Sequence, residues 1–396
     1  MNRHSAVRLA ALARLLLGCS VLGASGCASG AAPPPAEPAC VLVPEGYGPP
    51  GMTPLKAETV VSGLEVPWGI AFLPGGDWLV TERAGRIRLV RDGKIAATVA
   101  TIDVASGAEG GLLGIAASPA FEQDGLFYVY ATALVEGARI NRVLRYRLDA
   151  DHHGATLDKI LLDHLPGAAF HDGGRLRFGP DGMLYIGTGD AREPSLAQSK
   201  ESLGGKILRV TPDGDAPSDN PFFPSPIFVL GVRNTQGFDW IDRNTMVVSD
   251  HGPSGELGRT GHDEVSLARA GDNLGWPQIY GCETARGKVT PMLSWDDAVP
   301  PGGAAIYTGT AIPEWRGSVL LGTLRSKHLH RVELDPENPR RVRRHEVYFQ
   351  GEPPTGFGRL RETIMGPDGE LYVTTSNCDG RGICPATQDR ILRLTR

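Results

Sequence analysis

Leu176-Arg177-Phe178-Gly179-Pro180-Asp181-Gly182-Met183-Leu184-Tyr185-Ile186, followed by Gly205-Lys206-Ile207-Leu208-Arg209-Val210, decides the architecture. Apolar residues alternate on both sides of a Pro-Asp-Gly turn, where proline fixes φ and glycine supplies the positive φ of a tight connection. This reads as two short strands, a loop, and a third strand in which basic and apolar residues alternate. The phrase returns as Gly69-Ile70-Ala71-Phe72-Leu73-Pro74-Gly75-Gly76-Asp77-Trp78-Leu79-Val80 with Gly85-Arg86-Ile87-Arg88-Leu89-Val90. It returns again as Thr363-Ile364-Met365-Gly366-Pro367-Asp368-Gly369-Glu370-Leu371-Tyr372-Val373 with Arg390-Ile391-Leu392-Arg393-Leu394. Fainter copies start near Gly114, Gly237 and Ala304, giving about six units at roughly the spacing of propeller blades or somewhat wider. The expectation is an all-β, six-bladed β-propeller of four-stranded antiparallel blades over residues 55–396. A two-sheet sandwich is the alternative.

Composition agrees with many short strands joined by turns: 52 glycines, 31 prolines and 41% hydrophobic residues in a chain of 396. That mixture excludes a helical bundle and a disordered chain. Residues 1–26 pair a basic start (Arg3, Arg8) with an apolar run from Leu9 to Leu22 that Arg14 interrupts, the pattern of a signal peptide. Without them the formal charge falls from −5 to −8, which excludes an electrostatic footprint for nucleic acid. Ala24-Ser25-Gly26-Cys27 resembles a bacterial lipobox, implying lipid on Cys27 and a periplasmic or cell-surface lipoprotein anchored to the membrane. Leu16-Leu17-Gly18-Cys19 is a rival cleavage site. Residues 27–54, rich in proline and alanine at their start, read as a tether. Export places Cys40, Cys282, Cys378 and Cys384 in an oxidising compartment as disulfide candidates. Three pairings are open, of which Cys378 with Cys384 and Cys40 with Cys282 is the one expected.

Propellers bind ligands on the loops at one mouth of the central channel. Four loops stand out. His171 precedes Gly173-Gly174, and an imidazole there suits general-base work or a structural hydrogen bond. Arg233-Asn234-Thr235-Gln236 packs a guanidinium and two amides into one turn, fit to clamp a carbonyl-rich or carboxylated ligand or to tie blades together. Asp250-His251-Gly252-Pro253 and Asp263-Glu264, ahead of Asn273-Leu274-Gly275-Trp276-Pro277, offer acids and turn carbonyls for a hard cation such as calcium. Arg359 and Arg361 alternate on one strand and point the same way. Phosphate-loop, zinc-protease, nucleophile-elbow and haem-attachment motifs are missing from the sequence.

Taken in order from Glu109-Gly110-Gly111-Leu112-Leu113-Gly114 to Arg359-Leu360-Arg361, these motifs resemble the glucose/sorbosone dehydrogenase family of pyrroloquinoline quinone (PQQ)-dependent aldose sugar dehydrogenases. The resemblance implies oxidation of an aldose to a lactone, with hydride passing to PQQ and electrons leaving to a separate acceptor. It implies that His171 is the base and that Arg233 stabilises charge on the quinone oxygen. Glu109, Arg233, Asn234, Arg325, Arg359 and Arg361 would contact the cofactor. The carbonyls of Gly252 and Pro253 would ligate one calcium, and Glu264 with the Leu274 backbone a second. The chain departs from the family at Glu109, where glutamine is usual, at Phe170, where an acid or asparagine orients the histidine, at Arg325 for lysine, and at Ser376 for aspartate. Asp172 is the candidate to replace the missing orienting group. A binding propeller without redox chemistry and a calcium-dependent lactonase are the competing functions.

Overall fold

The computed structural model describes residues 40–396; the expected signal peptide, Cys27 and the start of the expected tether lie outside the described residues. Six antiparallel sheets follow one another along the chain. Their innermost strands are Pro67–Phe72, Leu112–Ala117, Gly173–Phe178, Thr235–Trp240, Pro301–Ile306 and Leu360–Met365, and each packs against the next around a ring, blade 1 to blade 6. All six repeats recognised in the sequence, including the faint copies, supply these inner strands.

The repeated aspartate explains why the turn and the third strand are written together. Asp181 caps its own turn by accepting the Met183 N–H at 3.1 Å, accepts the Tyr185 hydroxyl at 3.0 Å and binds Arg209 Nε at 2.8 Å. Asp368 does the same with the Glu370 N–H and the Tyr372 hydroxyl, and Asp77 holds Arg91 at 2.8 Å. In blades 1, 3 and 6 the turn aspartate thereby ties the turn to the strands that follow it, while the apolar positions fill the layers between blades. Trp68, Trp295 and Trp315 are almost wholly buried there.

The ring closes by joining the chain's two ends in one sheet. Lys56–Leu64 pairs antiparallel with Asp389–Thr395, from Lys56 opposite Thr395 to Leu64 opposite Asp389. Residues 40–54, assigned to the tether from composition, are instead packed on the propeller. Val41–Val43 adds a parallel fifth strand to blade 4 against Leu293–Trp295, and Gly51 donates its N–H to the Val347 carbonyl of blade 5. Cys40 is bonded to Cys282, and Cys378 to Cys384, the pairing expected. This strap is three residues of strand with no periodicity of its own, so only its long-range partners reveal it.

Candidate active site

The loops that enter the inner strands converge on a cavity of about 340 Å³ at one channel mouth. His171, Arg233, Asn234, Gly252, Pro253, Arg325, Arg359 and Glu109 line it, so most of the residues singled out in the sequence share one wall-to-wall site. His171 is held in a left-handed backbone conformation, φ 64°, unusual for a residue with a side chain and typical of a constrained functional position. Its carbonyl passes so close to blade 3 that a Cβ on Gly189 would lie 1.8 Å from it, which is why glycine stands there.

The imidazole is fixed at both nitrogens. Nδ1 lies 2.7 Å from Asp190 Oδ1 and Nε2 lies 2.8 Å from Arg233 Nη2. A guanidinium can only donate, so Nε2 must carry the lone pair and Nδ1 the proton that Asp190 accepts. This tautomer leaves the base atom facing the cavity. Asp190 Oδ2 accepts the Trp276 indole N–H at 2.9 Å. Asp190 is therefore the orienting acid, and the expectation placed on Asp172 is corrected. Asp172 Oδ1 faces the other way, accepting from Asn141 Nδ2 and the Ala168 N–H. Burial pushes its carboxyl up to about 6. The signal that could have found Asp190 is its place just past strand Leu184–Thr188, at the same mouth as His171.

Arg233 and Asn234 are anchored from below by one carboxylate: Asp250 accepts both backbone N–H groups at 2.7 Å. Arg233 Nη1 donates to the His251 carbonyl, and its buried Nε has no partner among the described residues. Burial pushes the His251 imidazole down to about 4, so it is neutral, with Nε2 donating to the Pro301 carbonyl and Nδ1 open to Asn234 Nδ2.

Glu109 is not left to repel a ligand. It accepts the His171 N–H at 3.1 Å and Asn234 Nδ2 at 3.3 Å, and Arg381 Nη1 stands 3.3 Å away. Burial would raise its carboxyl, and the His171 N–H and the Arg381 guanidinium work against that. Phe170, in place of the usual polar residue, lies under the guanidinium groups of both Arg192 and Arg381 at 5.6 Å. Sequence reasoning passed over Arg381, which sits in a loop without repeat character.

Arg359 and Arg361 do converge, both on Asp379, at 2.8 and 3.5 Å. Only Arg359 reaches the main cavity; Arg361 lies behind it, bonded to Gln236 Oε1 and Ser376 Oγ. Arg325 is exposed at the mouth. Ser376 lacks a charge, and Asp379, three residues on, supplies it. Glu264 and Leu274 do not line the cavity: Glu264 accepts the Gly281 N–H at 2.6 Å, and Leu274 N–H goes to the Leu230 carbonyl. Burial, with Asp250, Asp263 and Glu283 nearby, raises the Glu264 carboxyl well above its ordinary range. Among the described residues no group of three or more His, Cys, Asp or Glu is arranged to hold a metal ion.

The family model described as Glucose / Sorbosone dehydrogenase matches residues 64–392. The chain is 28% identical to aldose sugar dehydrogenase YliI of Escherichia coli over 82% of this chain and 91% of that one. It is 25% identical to quinoprotein glucose dehydrogenase B of Acinetobacter calcoaceticus over 80% of this chain and 84% of that protein. Among solved structures, the PQQ-bound form of an aldose sugar dehydrogenase from Streptomyces coelicolor superposes with a TM-score of 0.76 at 35% identity, covering 88% of this chain and 99% of that one.

Proposed function

The chain belongs to the glucose/sorbosone dehydrogenase family and is a sugar dehydrogenase of the oxidoreductase class; on that premise we propose that it oxidises aldoses to lactones with PQQ and calcium. The observation that carries the proposal is the Asp190–His171–Arg233 chain opening into the cavity with its base atom unprotonated.

The donor set fits the cofactor. PQQ carries several carboxylates and carbonyls, and the cavity presents Arg233, Asn234, Arg325 and Arg359, with Arg381 offsetting Glu109. The partnerless Nε of Arg233 adds a buried donor in want of an acceptor. Gly252 and Pro253 also line the cavity, and no described backbone donor engages the carbonyl of either, which suits an oxygen-seeking cation. At Glu264 and the Leu274 backbone, where the resemblance implies a second calcium, the described residues bring no group of three or more His, Cys, Asp or Glu together, so a second calcium is not part of the proposal.

PQQ, when bound, supplies the acceptor for the hydride that leaves the anomeric carbon. The protein's own part is proton handling and positioning. His171 Nε2 takes the proton of the anomeric hydroxyl, and the imidazolium that results is stabilised by Asp190 at Nδ1. Arg233, released from His171, donates where negative charge collects on an oxygen in the cavity. Asp250 keeps Arg233 and Asn234 in register with His171. The same reading places the protein outside the cytoplasm, in keeping with its two disulfides, tethered by lipid on Cys27 and passing electrons to a separate acceptor.

The test is a titration of metal-stripped protein with PQQ and calcium, followed by a panel of aldoses. Calcium-dependent binding and sugar-driven bleaching of the cofactor are expected, with bleaching lost in His171→Ala. Binding without reduction by any aldose would favour the redox-silent propeller.

A further inference from the structure

Glu256 is a charged group beside the cavity that the proposed chemistry does not use. Glu256 Oε1 lies 3.0 Å from Arg233 Nη2 and 3.5 Å from His171 Nε2, while Oε2 accepts the Ser254 N–H at 2.6 Å. Its side chain is only 15% exposed. It is the carboxylate paired with the Arg233 guanidinium among the described residues; the other partners are the His251 carbonyl, His171 Nε2 and Ser254 Oγ. The donor assigned to an incoming oxygen is therefore already engaged by the chain itself.

We infer that Glu256 is a positioning residue that competes with the cofactor for Arg233, occupying the guanidinium in the ligand-free site and giving way when a quinone or carboxylate oxygen arrives. The inference rests on the proposal that PQQ binds here. A charge-assisted bond shielded from water is among the stronger polar contacts a protein makes, so an incoming oxygen must replace it before it gains anything. The ligand's affinity is reduced by the fraction of molecules in which the latch is closed.

The loop is built to let the carboxylate leave. Glu256 sits at the tip of a small loop whose ends meet through a Ser254–Thr260 bridge. Gly255, Leu257 and Gly258 all have positive φ, and side chains added at Gly255 or Gly258 would meet nothing within 4 Å. Leu257 is exposed, so displacing the tip breaks no core. Arg233, by contrast, is buried and fixed through Asp250, so the carboxylate is the partner that moves.

The experiment is equilibrium and stopped-flow binding of PQQ at saturating calcium to the full-length protein, to Glu256→Gln and Glu256→Ala, and to Glu122→Gln as a control of equal charge change at an exposed position of the short helix Phe121–Asp124 in blade 2. Removing the competing charge is expected to tighten PQQ binding on the order of tenfold, with Glu122→Gln unchanged. Binding by Glu256→Gln and Glu256→Ala within twofold of the parent, or weaker, overturns the inference while leaving the cofactor reading intact. Uptake by none of the four proteins sinks the cofactor reading itself and the inference with it.

Discussion

His171 Nδ1 lies 2.7 Å from Asp190 Oδ1, and the second oxygen of that carboxylate is pinned at 2.9 Å by the Trp276 indole. The pair fixes which nitrogen of the base faces the cavity. Asp190→Asn keeps the shape but can present an amide N–H to Nδ1, favouring the wrong tautomer. A fall in kcat of about 100- to 10,000-fold is expected, with PQQ binding little changed. Trp276→Phe loosens the carboxylate without removing it and should cost less. An Asp190→Asn variant that keeps half its kcat would show that Asp190 does not orient the base.

Glu109 and Arg381 form the second testable pair, at 3.3 Å on the cavity wall. Truncating Arg381 to Ala leaves a carboxylate facing an anionic ligand, so PQQ affinity should fall by roughly tenfold or more. Glu109→Gln should restore most of it in the double variant. Additive losses in that cycle would mean that the two side chains act separately and that Glu109 is tolerated for another reason.

How much of this was legible in the sequence depends on whether a residue belongs to the repeated unit. The propeller was readable because each blade repeats the same turn chemistry locally, as Asp181 with Arg209 and Asp368 with Tyr372 show. His171, Arg233 and Asn234 were readable because each opens an inner strand, where a propeller places its ligand. Asp190 and Arg381 were missed because their meaning is a contact: 19 residues separate Asp190 from His171, and 272 separate Arg381 from Glu109. The strap at Val41–Val43 was missed for the same reason, its partner strand beginning at Leu293.

That strap covers a row of buried histidines, and acid should loosen it. Tyr47 stacks on His328, His328 Nε2 lies 3.1 Å from His330 Nδ1, and His330 stacks on His345. Burial pushes His328 down to about 4 and holds His330 well below the ordinary imidazole value. Folded values below unfolded ones mean stability that is complete above about pH 6.5 and lost as pH falls through 4. His328 alone corresponds to about 3 kcal/mol. Protection against hydrogen exchange over residues 41–51, taken relative to the intrinsic rate at each pH, should fall steeply between pH 6 and 4, and His330→Phe should blunt the fall. Flat protection over that window would show that the histidines stay neutral by some other accommodation.

Asp379 bears on stability and ligand binding at once, since it is the carboxylate shared by Arg359 and Arg361, both almost wholly buried. Burial would raise its carboxyl, but Arg361 and Arg359 outweigh that and hold it below its ordinary value. Its contribution is therefore present above about pH 4 and lost as pH falls through the depressed value. Asp379→Asn strands two guanidinium groups in the interior, and breaking a buried pair of this kind costs about 3–5 kcal/mol, visible as a lower Tm at neutral pH. A cofactor bearing carboxylates beside Arg359 would give those charges a new partner. PQQ with calcium should accordingly raise the Tm of Asp379→Asn by more than it raises that of the parent, because bound ligand replaces a lost counter-charge as well as adding its own binding energy. An equal rise in both proteins would mean that the ligand's carboxylates do not reach this arginine pair, and Arg359 would lose its place among the residues that hold the cofactor.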